Sequence, residues 1–298
     1  MLTIEKPVSS TGNMTDLQLR AGAIDVLFHP TSRPAKGGCP LHPPSQAEMD
    51  GAGVAAALVA QCDNWSCERN WLCEETKLDD VRQFIESSSR LFGLAGYNPF
   101  DITESVREIE LAVGNYDFRG VYVHLAGFGL SLTDARMYPA FAKAAELAVP
   151  IVVELPAGCA LDGDVERIAG DFPELKIVLA QPNPSVADLM LAAAHCENVF
   201  FALDAASLAR VMEQWSGLSS SRTGASPDFF AEIFEQRCMW GSNGREWSEA
   251  VREPFPLTST ARNAFFQGNA KRVFALDQPP ANRKPRSLVT EILAAETD

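Results

Sequence analysis

The sequence predicts one eight-stranded α/β barrel, a single (β/α)8 TIM barrel, and three observations carry that prediction. Eight short apolar runs begin near residues 24, 54, 91, 120, 151, 176, 199 and 238. Most are followed by a segment whose apolar residues recur at helical spacing, the alternation expected of parallel strands joined by crossover helices. The 298 residues exceed the ~250 that such a barrel needs, which leaves a short arm at each end. The expected division is an arm over 1–22, the barrel over 23–276 and a second arm over 277–298.

The elements follow in order. AIDVLF is a short, continuously apolar run and reads as a buried strand. The glycines and prolines of GGCPLHPP exclude regular structure and mark the loop behind it. GVAAALVA is the second strand. LDDVRQFIESSSR places apolar residues at 78, 81, 84 and 85, one stripe of a helix, and RLFGLAGYN is the third strand. In the helix DITESVREIELAV, Asp101 as N-cap with Glu104 three residues on predicts a capping box. The strands RGVYVHL, PIVVEL, LKIVLA, NVFFALD and RCMWGS then alternate with the helices YPAFAKAAELA, DVERIAGDF, VADLMLAAAH and DFFAEIFEQ.

Composition narrows the function. A net charge of −14 with a pI near 4.8 repels a phosphate backbone, and only the short RKPR at 283–286 opposes it, so no nucleic acid is expected. No apolar run approaches the ~20 residues of a membrane helix, and MLTIEKPVSSTG lacks the layout of a signal peptide. The expected location is cytoplasmic. Seven cysteines, an odd number, fit reduced thiols better than a disulfide framework. Cys62, Cys67 and Cys73 are spaced C-x4-C-x5-C, which matches no common zinc pattern.

In barrels of this kind the chemistry sits at the carboxyl ends of the strands. Those positions hold Leu27, His29, Cys62, Asn98, His124, Glu154, Gln181, Asp204 and Asn243. Asp25 reads as a hydrogen-bonded support, and His42 and His195 as structural. No G-x-S-x-G, glycine-rich phosphate loop or H-E-x-x-H is present. Cys159 and Cys238 have no histidine at a spacing that implies a dyad and read as inert thiols. Trp65, Trp71, Trp240 and Trp247 read as packing or interface residues.

From Ile24 to Leu276 the chain resembles the amidohydrolase-related family of the second type, the metal-dependent barrels similar to aminocarboxymuconate-semialdehyde decarboxylase. The likeness is carried by AIDVLFHP, by RGVYVHLAGFGLSLTDARMYPAFAKAAELAVPIVVELPAG, by DFPELKIVLAQPN, by RCMWGSN and by GNAKRVFAL, in that order. The family implies a divalent metal held by two histidines of the first strand, histidines ending the fifth and sixth, and an aspartate ending the eighth. Nitrogen and oxygen donors must then converge to about 2.0–2.2 Å from one point. Carried across, those positions fall on Leu27, His29, Glu154, Gln181 and Asn243. Leucine coordinates nothing, and neutral amides are poor donors to zinc or iron. His29 and Glu154 remain as candidate metal ligands, with His124, Cys62 or Asp25 as donors that could be borrowed.

Two expectations follow from the resemblance. The first is a barrel without tightly bound cofactor, a non-catalytic structural or regulatory subunit in a homo- or hetero-oligomer, whose metal-binding paralogue holds the zinc or iron. The second is a metal-independent or mononuclear-metal hydrolase or decarboxylase of a small carboxylic acid. In it His29 or His124 acts as acid or base, Glu154 as its partner, Gln181 and Asn243 as oxyanion donors and Arg245 as a carboxylate clamp. A mouth plugged by Leu27, Phe28 and Pro182 favours the first, and a carboxylate within reach of an imidazole favours the second.

Overall fold

In a computed structural model, the structure describes residues 22–29, 44–62, 77–156, 163–180, 185–220, 227–242, 247 and 258–278. The arms expected at 1–22 and 277–298 therefore lie outside it, apart from Gly22, Asp277 and Gln278. Cys159, Gln181, Pro182, Asn243, Arg245, His42, Trp65 and Trp71 also fall outside.

The strands are β1 (Ala23–Phe28), β2 (Val54–Ala60), β3 (Leu91–Gly96), β4 (Phe118–His124), β5 (Ile151–Glu154), β6 (Ile177–Ala180), β7 (Val199–Leu203) and β8 (Cys238–Trp240). They form one sheet in sequence order, each pair parallel. This is the (β/α)8 barrel that the strand count predicts. Both faces of the strands are buried, which is why they read as unbroken apolar runs rather than as an alternation of apolar and polar residues. Ile24, Leu58, Ala60, Leu94, Tyr122, Val152, Val178, Phe200 and Met239 fill the interior. Their strand neighbours Val59, Ala95, Val121, Val153, Leu179 and Phe201 face the helices instead.

The outer layer consists of α1 (Gln46–Ala52), α2 (Leu78–Glu86), α3 (Ile102–Asn115), the single turn α4 (Leu125–Phe128), α5 (Tyr138–Glu146), α6 (Gly163–Asp171), α7 (Val186–His195), α8 (Ala205–Ser220) and α9 (Pro227–Arg237). A last segment joins α10 (Ser259–Asn263) through a π-helical turn over Ala264–Gly268 to α11 (Asn269–Phe274). Two details differ from the sequence reading. The capping box expected at Asp101 is not formed: Asp101 has φ −132° and ψ 67° and makes no side-chain cap, while Glu104 pairs with Arg107 one turn on. A full box forms instead at Ser45 and Glu48, starting α1, a helix that the proline-rich sequence around it conceals.

The two ends of the barrel differ. Ala270, Val273 and Phe274 of α11 join the interior cluster. Phe274 lies so close to Gly120 that a Cβ there would sit 3.5 Å from its ring and 2.8 Å from the Pro150 carbonyl. The helix α11 thus covers the amino ends of the strands and leaves the carboxyl ends for the site.

β1 and β8 meet through side chains. Asp25 accepts hydrogen bonds from the backbone N–H groups of Leu27 (3.1 Å) and Ser242 (2.8 Å) and from the indole N–H of Trp247 (2.8 Å). This is the supporting role the sequence assigns it. Burial pushes its carboxyl above the ordinary range, against the lowering by these donors.

Candidate active site

The site is built on the carboxyl ends of β1, β2, β4 and β5. His124 and Glu154 close adjacent strands in the same register, so their side chains are neighbours. Glu154 Oε1 faces His124 Nε2 at 3.9 Å and Glu154 Oε2 faces His29 Nε2 at 3.5 Å. Tyr122 stands two residues before His124 on the same face of β4, and its hydroxyl donates to Glu154 Oε2 at 2.5 Å. The Tyr122 ring also meets the His29 ring edge-on, with centroids 5.6 Å apart. On the other side of that imidazole, Nδ1 lies 3.3 Å from the Cys62 sulfur.

Three of the residues singled out by the sequence, His29, His124 and Glu154, are therefore brought together. Asn243 and Arg245 lie outside the described residues. Asn98 and Asp204 are turn residues: Asn98 Oδ1 accepts from the Phe100 N–H, and Asp204 Oδ1 from the Ser207 N–H at the start of α8. His195 sits in the last turn of α7 against Glu166 on the surface, consistent with a structural role. Tyr122 is a site residue that the sequence reading passes over. Its signal is the strand alternation that places it in phase with His124.

The electrostatics separate these groups. Burial pushes the Glu154 carboxyl up, but hydrogen bonding from His29, the positive charge available on His29 and His124, and the Tyr122 hydroxyl outweigh it and bring the carboxyl down to about 2. Glu154 is thus an anion at any working pH. His124 is held below the ordinary histidine range, chiefly by burial, with His29 acting in the same sense and Glu154 opposing. The side chains of His124 and Glu154 keep 19% and 14% of their exposure, whereas that of His29 keeps 5%. A small molecule therefore meets His124 and Glu154 first.

Leu27 is fully buried in the apolar interior. Phe28 packs the other way, against Phe84 and Trp247, so it does not plug the mouth. Leu27 offers no donor atom, and among the described residues no group of three histidine, cysteine, aspartate or glutamate side chains is placed to hold a metal ion. No described helix is long and apolar enough to cross a membrane.

The amidohydrolase family model matches residues 44–276. No curated protein sequence matches at a significant level. Among solved structures, the chain resembles 2,6-dihydroxybenzoate decarboxylase from Rhizobium at 13% identity with a TM-score of 0.53, over 86% of this chain and 99% of that one. A dihydroxybenzoic acid decarboxylase from a Polaromonas species, with bound manganese and the inhibitor 2-nitroresorcinol, matches at 15% identity and a TM-score of 0.54, over 87% of this chain and 98% of that one. The 5-carboxyvanillate decarboxylase of Novosphingobium aromaticivorans, complexed with manganese and 4-hydroxy-3-methoxy-5-nitrobenzoic acid, matches at 14% identity and a TM-score of 0.50, over 77% and 78%. Likeness at such identities shows a shared barrel fold.

Proposed function

Because the chain belongs to the amidohydrolase family, we propose that it is a decarboxylase of a small hydroxylated aromatic acid, working with imidazole and carboxylate side chains rather than with a resident metal. The observation that carries this reading is the placement of the ionised Glu154 between the ring nitrogens of His29 and His124. A buried anion flanked by two titratable bases, at the end of the barrel where such folds do chemistry, is the arrangement acid–base catalysis needs. The substrate class comes from the structural neighbours, whose names are those of decarboxylases acting on hydroxybenzoates.

In the proposed step the bond from ring carbon to carboxylate breaks, carbon dioxide leaves, and the electron pair is taken up at the ring carbon with a proton from an imidazolium. Glu154 stabilises that proton on His29 before transfer, because opposite charges this close attract strongly in a site of low dielectric. His124, whose imidazolium form burial disfavours, is a hydrogen-bond donor to a substrate oxygen or the relay through which a proton from solvent is restored to His29. Gln181 and Asn243 would donate to that oxygen, and Arg245 would clamp the carboxylate.

A second reading is favoured by one observation, the fully buried Leu27, which stands where the resemblance puts the first histidine of the family. On it the barrel is the non-catalytic subunit of an oligomer whose metal-binding paralogue does the hydrolytic, decarboxylating or oxidative chemistry. One experiment separates the two: the purified chain is incubated with 2,6-dihydroxybenzoate and related acids, and carbon dioxide release is followed. Turnover by the chain alone, abolished in Glu154→Gln, supports the first reading. Turnover only after addition of a co-expressed paralogue supports the second.

A further inference from the structure

Cys62 follows β2, next to the mouth of the barrel, and is 2% exposed. Its sulfur lies 3.3 Å from Nδ1 of His29, and the other nitrogen of that ring, Nε2, faces Glu154 Oε2 at 3.5 Å. When His29 is neutral, a carboxylate on Nε2 favours the tautomer that carries its proton there, which leaves the lone pair of Nδ1 on the side of the thiol, whose other neighbour is the Ala60 carbonyl at 3.7 Å. Nucleophile, base and orienting anion stand in sequence, the relation that activates a cysteine or serine on many unrelated folds. The three residues come from three strands, and no sequence spacing connects them.

We propose that Cys62, His29 and Glu154 form a nucleophilic triad that transfers acyl groups from small esters through a thioester on Cys62. The inference shares the imidazole and the carboxylate of the acid–base site but does not depend on decarboxylation. As the sulfur attacks the acyl carbon, the thiol proton passes to His29 Nδ1. The carbon–sulfur bond forms, the bond to the alkoxy oxygen breaks, and His29 returns the proton to the leaving alcohol. Water, deprotonated by the same nitrogen, then attacks the thioester, releasing the carboxylic acid and restoring the thiol. The sum is one ester and one water converted to an acid and an alcohol.

The surroundings suit a small acyl group. Cys62 and His29 lie beneath the more exposed side chains of His124 and Glu154, and the sulfur is flanked by the interior apolar cluster that includes Leu27, Ala60 and Tyr122. The buried Leu27 belongs to that same apolar cluster.

The test uses the full chain and p-nitrophenyl acetate. The expected result is p-nitrophenol release together with an acetyl adduct that peptide mass mapping places on Cys62 and that hydroxylamine removes. Cys238, whose thiol burial pushes far up, is the internal control and stays unmodified. His29→Gln should slow acylation of Cys62 about tenfold or more by removing the base, and Glu154→Gln should slow it less. Cys62→Ala, which removes the nucleophile from a buried site with a small side chain, keeps the measurement decisive should the histidine variant not fold. If p-nitrophenol release is the same in Cys62→Ala as in the parent, or if no acyl group is found on Cys62, the triad is refuted. Carbon dioxide release, measured in parallel on hydroxybenzoates, reports on the acid–base reading separately, so the failure of either activity leaves the other to stand or fall by its own assay.

Discussion

Asp25 and Glu154 are carboxyl groups on strands of the same barrel, both largely shielded from water, and burial acts on each in the same upward sense. They nevertheless shift in opposite directions. At the seam between β1 and β8, Asp25 is surrounded by the dipoles of two backbone N–H groups and an indole, and burial prevails. At the mouth, Glu154 faces two groups able to carry positive charge as well as a phenol, and its carboxyl falls to about 2. The difference teaches that partner charge, rather than depth, decides the direction in which a buried carboxyl shifts. It also separates a group that holds the barrel together from one poised for chemistry.

The contrast can be tested from its largest consequence downward. Glu154→Gln removes the anion from the mouth while keeping its shape. It should lower the turnover number for decarboxylation about a thousandfold, within the range for loss of an acid–base partner, with little change in circular dichroism. The matching change at the seam, Asp25→Ala, should instead act on the fold. It leaves the N–H groups of Leu27, Ser242 and Trp247 buried without their acceptor and should cost about 3 kcal/mol in urea unfolding followed by tryptophan emission.

The pH dependence sharpens the same difference. Glu154 is lowered in the folded state from 4.5 to about 2, so the folded chain binds this proton less readily than the unfolded one. Its stabilising contribution is complete above about pH 4.5 and is lost as the pH falls towards about 2, roughly 3 kcal/mol in all. Unfolding curves of Glu154→Gln should lack that acid limb. Asp25 is raised, so its contribution runs the other way, falling as the pH rises through its folded value, and its replacement should leave the acid limb in place. The smallest effect belongs to Tyr122→Phe. Loss of the hydroxyl bond to Glu154 should cost about 1 kcal/mol and bring the acid loss to its end at a higher pH with a smaller total, since one of the groups lowering that carboxyl is gone.

The barrel was legible in the sequence because strands buried on both faces appear as short apolar runs, and eight of them separated by helical stripes admit few other architectures. His29, His124 and Glu154 were legible because each ends a strand. Their partners were not. The contact between Cys62 and His29 depends on the register of β1 against β2, which contains irregularities between Ala23 and Ile24 and between Asp25 and Phe28. No local pattern encodes such a shift. Tyr122 was hidden by its apolar ring within RGVYVHL, although its phase with His124 is visible there. The helix start at Ser45 was masked by the prolines before it, and at Asp101 the helix begins as expected but without its capping box, Glu104 pairing with Arg107 instead.

The most direct test is whether the chain decarboxylates a hydroxybenzoate after exhaustive treatment with a chelator. Side chains alone as the acid and base predict a rate of carbon dioxide release that chelation leaves unchanged and added manganese does not raise. Activity that disappears with the chelator and returns with manganese would contradict the account.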